Sequence, residues 1–323
     1  MLNSKNISFL TVSHIFYLVI MNKEQVVAVI VTHNRKEDLQ KCLNALLAQT
    51  IQLNSIFVID TCSTDGTKEL LEKDLSNNSF KYIRLNDNVG SAGGFYEGVK
   101  LAYESGFDWV WLMDDDALPD KTAFEELIKH KAKNTVLNSL VIDDNDHTRL
   151  SRKLEDVEKQ KIFLYINDCP EIINGITPTL GTLVSRSTIK KIGFHRKEFF
   201  IWGDEKEYFL RMLKHKLNFK TVKNSKIYHP GFSVENYKTF FGKQLITNIP
   251  NWKLYYYIRN NFVINRLHFN FLRRFYRHIL FFIYFSITLL YSDDKKGFSK
   301  AFFYGTLHAF TNKMGRFDSA FNF

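Results

Sequence analysis

D-W-V-W-L-M-D-D-D-A-L-P, residues 108–119, is the stretch that decides how the chain is read. An apolar, aromatic segment from Trp109 to Met113 runs into three adjacent carboxylates, Asp114, Asp115 and Asp116, and stops at Pro119. This is the pattern of a buried strand with acid at its mouth. Neighbouring carboxylates repel one another, and a hard divalent cation with oxygen ligands is what most readily keeps them together, so the triplet points to a metal-diphosphate site. The alternative is an acidic turn whose aspartates cap a helix beginning near Lys121.

Upstream, Val26 to Thr32 (V-V-A-V-I-V-T) is a continuous apolar, mostly β-branched run, as expected of a strand covered on both faces in a parallel sheet. From Glu37, Leu39, Cys42, Leu43, Leu46 and Leu47 recur at helical spacing. A second strand, Ser55 to Asp60, precedes T-C-S-T-D-G-T, where Thr64 or Asp65 caps a helix reaching Leu75; a third strand covers Lys81 to Leu85. The alternation of strand and helix predicts a mostly parallel, doubly wound α/β sheet that binds ligands at the carboxyl ends of its strands. Residues 86–98, N-D-N-V-G-S-A-G-G-F-Y-E-G, bring Gly90, Gly93 and Gly94 ahead of a helix whose first amides offer donors to a phosphate. The first strand is followed by H-N-R and not by G-x-G-x-x-G, which argues against a dinucleotide oxidoreductase.

Residues 142–168 are polar and carry no defensible motif. Gly175 to Ser185 reads as a loop and strand lining a cleft, with Gly181 and Thr182 as candidate binding residues. In F-F-I-W-G-D-E-K-E-Y-F-L-R, residues 199–211, Trp202 belongs to an aromatic wall and the acids Asp204 and Glu205 open a helix. A strand near Tyr228 ends in Y-H-P-G; taken alone, His229 there is more often structural than a ligand.

Composition bounds the rest. The 323 residues are 45% hydrophobic and 24% charged, enough for one sizeable domain with an extension. From residue 251 onward there are eleven Lys or Arg against three Asp, a net of +8 out of a total of +10, so the basic character belongs to the tail. Three cysteines without C-x-x-C spacing indicate neither a disulfide framework nor a zinc site. In the tail, Ile279 to Tyr291 is too short an apolar run to span a bilayer, and Arg273, Arg274 and Arg277 precede it. An amphipathic element on an anionic membrane surface and a helical hairpin packed on the catalytic domain or on a sister subunit both fit, whereas nucleic acid is disfavoured because no recognition module accompanies the basic residues. The expected division is an N-terminal extension over residues 1–21, either an over-extended reading frame with its start at Met21 or a weak surface segment, then a catalytic domain to residue 250 and a helical extension over 251–323.

Six ordered blocks between Val26 and Gly231 resemble a family 2 glycosyltransferase of the GT-A fold: V-I-V-T-H-N-R, V-I-D-T-C-S-T-D-G-T, N-V-G-S-A-G-G-F, W-L-M-D-D-D-A-L-P, W-G-D-E-K-E-Y and Y-H-P-G. The glycine-rich and triple-Asp blocks are most similar to bacterial galactofuranosyltransferases and next to rhamnosyltransferases. The resemblance implies that Thr32 and Asp60 contact the nucleotide, with Arg35 and Asp65 nearby, and that Asp114, Asp115 and the glycines face the nucleotide sugar. It also implies a Mn²⁺ or Mg²⁺ ion held by Asp114, Asp116 and His229. The general base falls on Glu205 or Asp204, with Glu205 preferred. Two departures stand out: Thr61 replaces the family's usual Asn after Asp60, and Glu205 replaces an aspartate. The expected activity is inverting transfer from UDP-galactofuranose, or as a rival from dTDP-rhamnose, to a glycan acceptor linked to polyprenyl diphosphate, at the cytoplasmic face of the bacterial membrane. A non-catalytic nucleotide-sugar-binding scaffold is the rival from another class.

Overall fold

The computed structural model describes residues 24–74, 80–231, 237–240, 243–246 and 249–317; the expected N-terminal extension lies outside the described residues. Strands β1 (Val26–Thr32), β2 (Ser55–Asp60), β3 (Lys81–Arg84) and β4 (Trp109–Asp114) alternate with helices α1 (Lys36–Leu47), α2 (Thr67–Asp74) and α3 (Gly90–Glu104). They form a parallel block in the order β3-β2-β1-β4, with Thr32 beside Asp60 and Val31 beside Asp114 in register. The strand ends that carry the polar motifs therefore lie side by side.

After β5 (Leu118–Pro119) and α4 (Ala123–Ile128) come β6 (Thr135–Asp143), β7 (Arg149–Asp156), β8 (Lys161–Tyr165), β9 (Ile172–Ile173), β10 (Thr182–Ser185), α5 (Arg186–Ile192), α6 (Asp204–Lys214) and β11 (Asn218–His229). Strand β10 runs antiparallel to both β4 and β6, so it splices the parallel block to a second parallel pair, β6 and β11. The motif-poor middle is the hairpin of β7 and β8. Strands β12 (Tyr237–Phe240) and β13 (Lys243–Ile246) pair separately. The extension is three helices, α7 (Asn251–His268), α8 (Phe271–Tyr291) and α9 (Lys295–Phe310).

Period-two alternation explains why β1 is apolar throughout. Val26, Ala28 and Ile30 pack with Leu39, Leu43 and Leu46 of α1 and with Trp111 and Phe124, while Val27, Val29 and Val31 meet Phe95, Val99 and Ala102 of α3 on the other face. Helix α3 begins within the glycine block, not beyond it as expected. Gly94 allows that helix to lie directly on β1, since a Cβ there would run into the side chain of Val31.

A third core joins α7 and α9 to Phe199 and Phe200. Helix α7 is buried along most of its length, whereas α8 buries only Phe285 and Thr288 and exposes Leu272, Phe275, Tyr276, Ile283 and Leu290. Helix α7 is thus packed on the main domain, and α8 leaves an apolar face exposed. Among the described residues no helix is long and apolar enough to cross a membrane.

Candidate active site

A cleft of about 1160 Å³ opens at the carboxyl ends of β1 and β4. Its floor is the acidic triplet. Thr32 Oγ1 donates to Asp115 Oδ2 at 2.7 Å, and Arg35 Nη1 lies 3.3 Å from Asp115 Oδ1 and 2.7 Å from Asp116 Oδ2. His229, arriving from the end of β11, places Nε2 3.2 Å from Asp116 Oδ1. Its Nδ1 is 2.7 Å from the Pro230 carbonyl, which can only accept, so Nδ1 carries a proton and the ring is turned with Nε2 toward the acids. One ligand atom each from Asp114, Asp116 and His229 lies within 4.8 Å of the others. Two carboxylates and an oriented imidazole are a fitting donor set for a hard to borderline divalent ion.

The three acids differ electrostatically. Burial, reinforced by the Asp116 charge, lifts Asp114 to about 6, and burial lifts Asp115 to about 7 against the opposing pull of Arg35 and Thr32. At Asp116 burial acts in the same upward sense but is outweighed by His229 and Arg35, which hold the carboxyl down at about 2.

The opposite wall carries Trp202, Gly203, Asp204 and Glu205. Asp204 is buried, and burial together with the Glu205 charge pushes it well above the usual carboxylate range. Glu205 Oε2 accepts from the Gly203 N–H at 3.0 Å, which fixes the side chain at the start of α6. The preceding loop has left-handed backbone at Phe200, Trp202 and Gly203 (φ 67°, 60° and 94°), a conformation that costs about 1–3 kcal/mol per non-glycine residue. Two side chains of α7 hold it. Asn260 Nδ2 lies 3.1, 2.9 and 2.6 Å from the carbonyl oxygens of Phe199, Ile201 and Trp202, and Arg259 Nη2 donates to the Phe199 carbonyl at 2.9 Å.

The sequence profile of Glycosyl transferase family 2 matches residues 27–193, which contain the floor of this cleft. The chain belongs to that family. The enzyme is therefore a glycosyltransferase. It is 32% identical over 216 residues to galactofuranosyltransferase GlfT1 of Mycobacterium tuberculosis, covering 64% of this chain and 70% of that protein. It is 26% identical over 166 residues to the poly-beta-1,6-N-acetyl-D-glucosamine synthase of Staphylococcus epidermidis, covering 50% of this chain and 40% of that protein. The crystal structure of GalNAc-T7 with UDP, GalNAc and Mn²⁺ superposes with a TM-score of 0.53 at 16% identity, over 74% of this chain and 48% of that one. S. aureus TarS 1-349 in complex with UDP gives 0.51 at 14% identity, over 89% and 72%. The fold is thus GT-A.

Not every expected contact of this glycosyltransferase reaches the cleft. Thr32, Arg35, Gly90, all three aspartates, Trp202, both acids of α6 and His229 line it. Asp60 does not: it is buried and accepts from Ser63 N, Tyr82 Oη and Arg84 Nη1 at 2.8, 2.6 and 3.3 Å. Thr61 reaches the cleft from that strand end instead, its hydroxyl donating to the Thr32 carbonyl at 3.1 Å. Asp65 is used to bind the α1 and α2 starts together, accepting from Lys36 N and Thr67 N at 2.9 and 3.1 Å. Gly93 and Gly94 are absorbed in packing against Val89 and Val31, and only Gly90 approaches the cleft, with a φ of +69° and its α-hydrogen side against the Phe200 carbonyl. Gly181 sits over Ser139 and Ile227, and Thr182 Oγ1 donates to Asn138 Oδ1 at 2.6 Å; the cleft wall there is Thr177 to Leu180.

The residues missed by sequence reasoning come from the extension. Trp252, Lys253, Tyr257 and Asn261 of α7 line the cleft, and Asn260 and Arg259 brace its wall. The only sequence signal was that Arg259, Asn260 and Asn261 interrupt an otherwise aromatic and aliphatic helix.

Proposed function

We propose that this glycosyltransferase moves galactofuranose from UDP-galactofuranose, with inversion, to a lipid-linked glycan acceptor in bacterial surface polysaccharide synthesis. The observation that carries the reading is the pairing, across one cleft, of the Asp114, Asp116 and His229 cluster with the Asp204 and Glu205 pair. The choice of sugar follows the similarity to GlfT1 over 64% of the chain.

Asp114, Asp116 and His229 would hold Mn²⁺ or Mg²⁺, which when bound supplies positive charge against the departing nucleoside diphosphate. Arg35, fixed on Asp115 and Asp116, lends a further cation at that end. Thr32 and Thr61 stand where the strands end and Gly90 keeps the backbone low, leaving room for the nucleotide. On the other side Glu205 accepts the proton of the acceptor hydroxyl as its oxygen attacks the anomeric carbon and the diphosphate leaves. The lesser burial of Glu205 supports it as the proton acceptor, since burial disfavours the charged form of Asp204. The exposed aromatic face of α8 with Arg273 and Arg274 supports docking on an anionic membrane surface at the cytoplasmic face.

The test is a panel of nucleotide sugars presented with Mn²⁺ or Mg²⁺, scored by binding and by slow hydrolysis. UDP-galactofuranose is expected to bind and turn over best. Preference for dTDP-rhamnose would replace the donor, and binding without turnover toward any acceptor glycan would favour a scaffold.

A further inference from the structure

The cations around the cleft are not treated alike. Arg35 is matched by three carboxylates, Asp38, Asp115 and Asp116. Lys206, one residue after Glu205, is half-buried in the cleft wall, yet among the described residues it has no carboxylate within ion-pair distance; its Nζ donates to Asn261 Oδ1 at 2.8 Å. One turn further along α7, Asn265 Oδ1 accepts from Arg277 Nε of α8 at 2.8 Å. Two neutral amides, four residues apart on one helix face, thus hold two cations in place without cancelling their charge. Burial, Arg277 and Lys153 together push the Lys206 ammonium down to about 8, with only Glu205 opposing them. Lys153, from β7, is exposed at the cleft edge and likewise has no ion-pair partner among the described residues.

A partly desolvated cation left without a counter-charge costs free energy, and an anionic ligand bound beside it offsets that cost. That anion does not belong to the donor, whose diphosphate faces Arg35 and the Asp114, Asp116 and His229 cluster. It belongs on the side of Glu205, where the acceptor hydroxyl must arrive.

We propose that Lys206, Arg277 and Lys153 form a subsite for a phosphate group carried by the acceptor, placed between the proton-accepting carboxylate and the exposed face of α8. This deepens the proposed function and rests on it. The subsite makes the acceptor's charge part of its recognition: the phosphate seats on the cations while the sugar hydroxyl reaches Glu205.

The experiment measures binding of farnesyl phosphate, inorganic phosphate and farnesol to the full chain, with UDP and Mn²⁺ in excess so that the donor half is filled. Farnesyl phosphate is expected to bind and farnesol not. Lys206→Met is expected to weaken farnesyl phosphate about tenfold or more, the size of one charge-assisted hydrogen bond, and Lys206→Arg to restore most of it. Tighter binding of farnesyl phosphate than of inorganic phosphate supports a lipid-borne phosphate; equal binding supports the same subsite reading the phosphate alone. Unchanged affinity in both Lys206→Met and Lys153→Met, with UDP still bound, overturns the subsite and leaves the glycosyltransferase reading intact. Failure of the wild type to bind UDP overturns both.

Discussion

Two acidic clusters face each other across the cleft, and their surroundings differ more than their chemistry. At the end of β4, Asp115 and Asp116 are braced by Thr32, Arg35 and His229, side chains that arrive from β1, the β1–α1 turn and β11. At the start of α6, Asp204 is buried beside Glu205, and burial with the Glu205 charge raises its carboxyl well above the usual range. The first set offers several oxygens and one nitrogen within reach of one cation. In the second, burial disfavours charge on one carboxylate of the two. Identical residue types thus reach different roles through partners distant in sequence.

The sharpest way to break this comparison is to remove the cation. Excess EDTA is expected to abolish transfer and added Mn²⁺ to restore it, while Asp116→Asn should cost at least about 10²-fold in initial rate. Full activity in EDTA would dissolve the distinction between the clusters.

A smaller effect is expected from the brace behind the second cluster. Asn260→Ala frees the carbonyls of Ile201 and Trp202, and a misplacement of Glu205 on the order of 1 Å should lower kcat about 10- to 10²-fold with the donor KM little changed. Equal kcat in a folded variant, checked by thermal unfolding, would show that the loop keeps its shape unaided.

Asp116 and Asp204 contribute to stability with opposite signs of pH dependence. In metal-free protein the lowered Asp116 stabilises the fold above its unfolded value near pH 4, and that contribution is lost as pH falls toward about 2. The raised Asp204 does the reverse: its protonated native form costs stability as pH climbs above about 4. Urea unfolding at pH 7 should therefore show Asp116→Asn destabilised by about 1–3 kcal/mol, and Asp204→Asn changed by less than about 1 kcal/mol. A larger loss for Asp204→Asn would mean that it is ionised.

The smallest effect concerns α8. Replacing Arg273 or Arg274 with Ala should weaken binding to vesicles containing phosphatidylserine by about 1 kcal/mol each, and less in high salt. No change in vesicle affinity would favour α8 as a contact between copies of the chain.

The floor of the site was legible because its information is local: apolar runs ended by acid at Asp114 and the alternation of strand and helix needed no distant partner to be read. The errors arose where a partner from elsewhere decides. Asp60 carries the family's position, but Tyr82 and Arg84 of β3 claim its carboxylate. Gly93 and Gly94 look like a phosphate loop in sequence and are close-packing positions in space. Helix α7 read as part of a basic aromatic tail, and nothing in its composition announced that Asn260 spans about sixty residues to hold the loop before α6.

The central claim is that Glu205 takes the acceptor's proton while the donor is held on the other side of the sugar. Transfer by Glu205→Gln and Asp204→Asn, measured with donor affinity on the same preparations, tests it most directly. Glu205→Gln is expected to lose about 10²- to 10⁴-fold in kcat with donor affinity preserved, and Asp204→Asn to retain most of its turnover. Near wild-type transfer by Glu205→Gln would contradict the account.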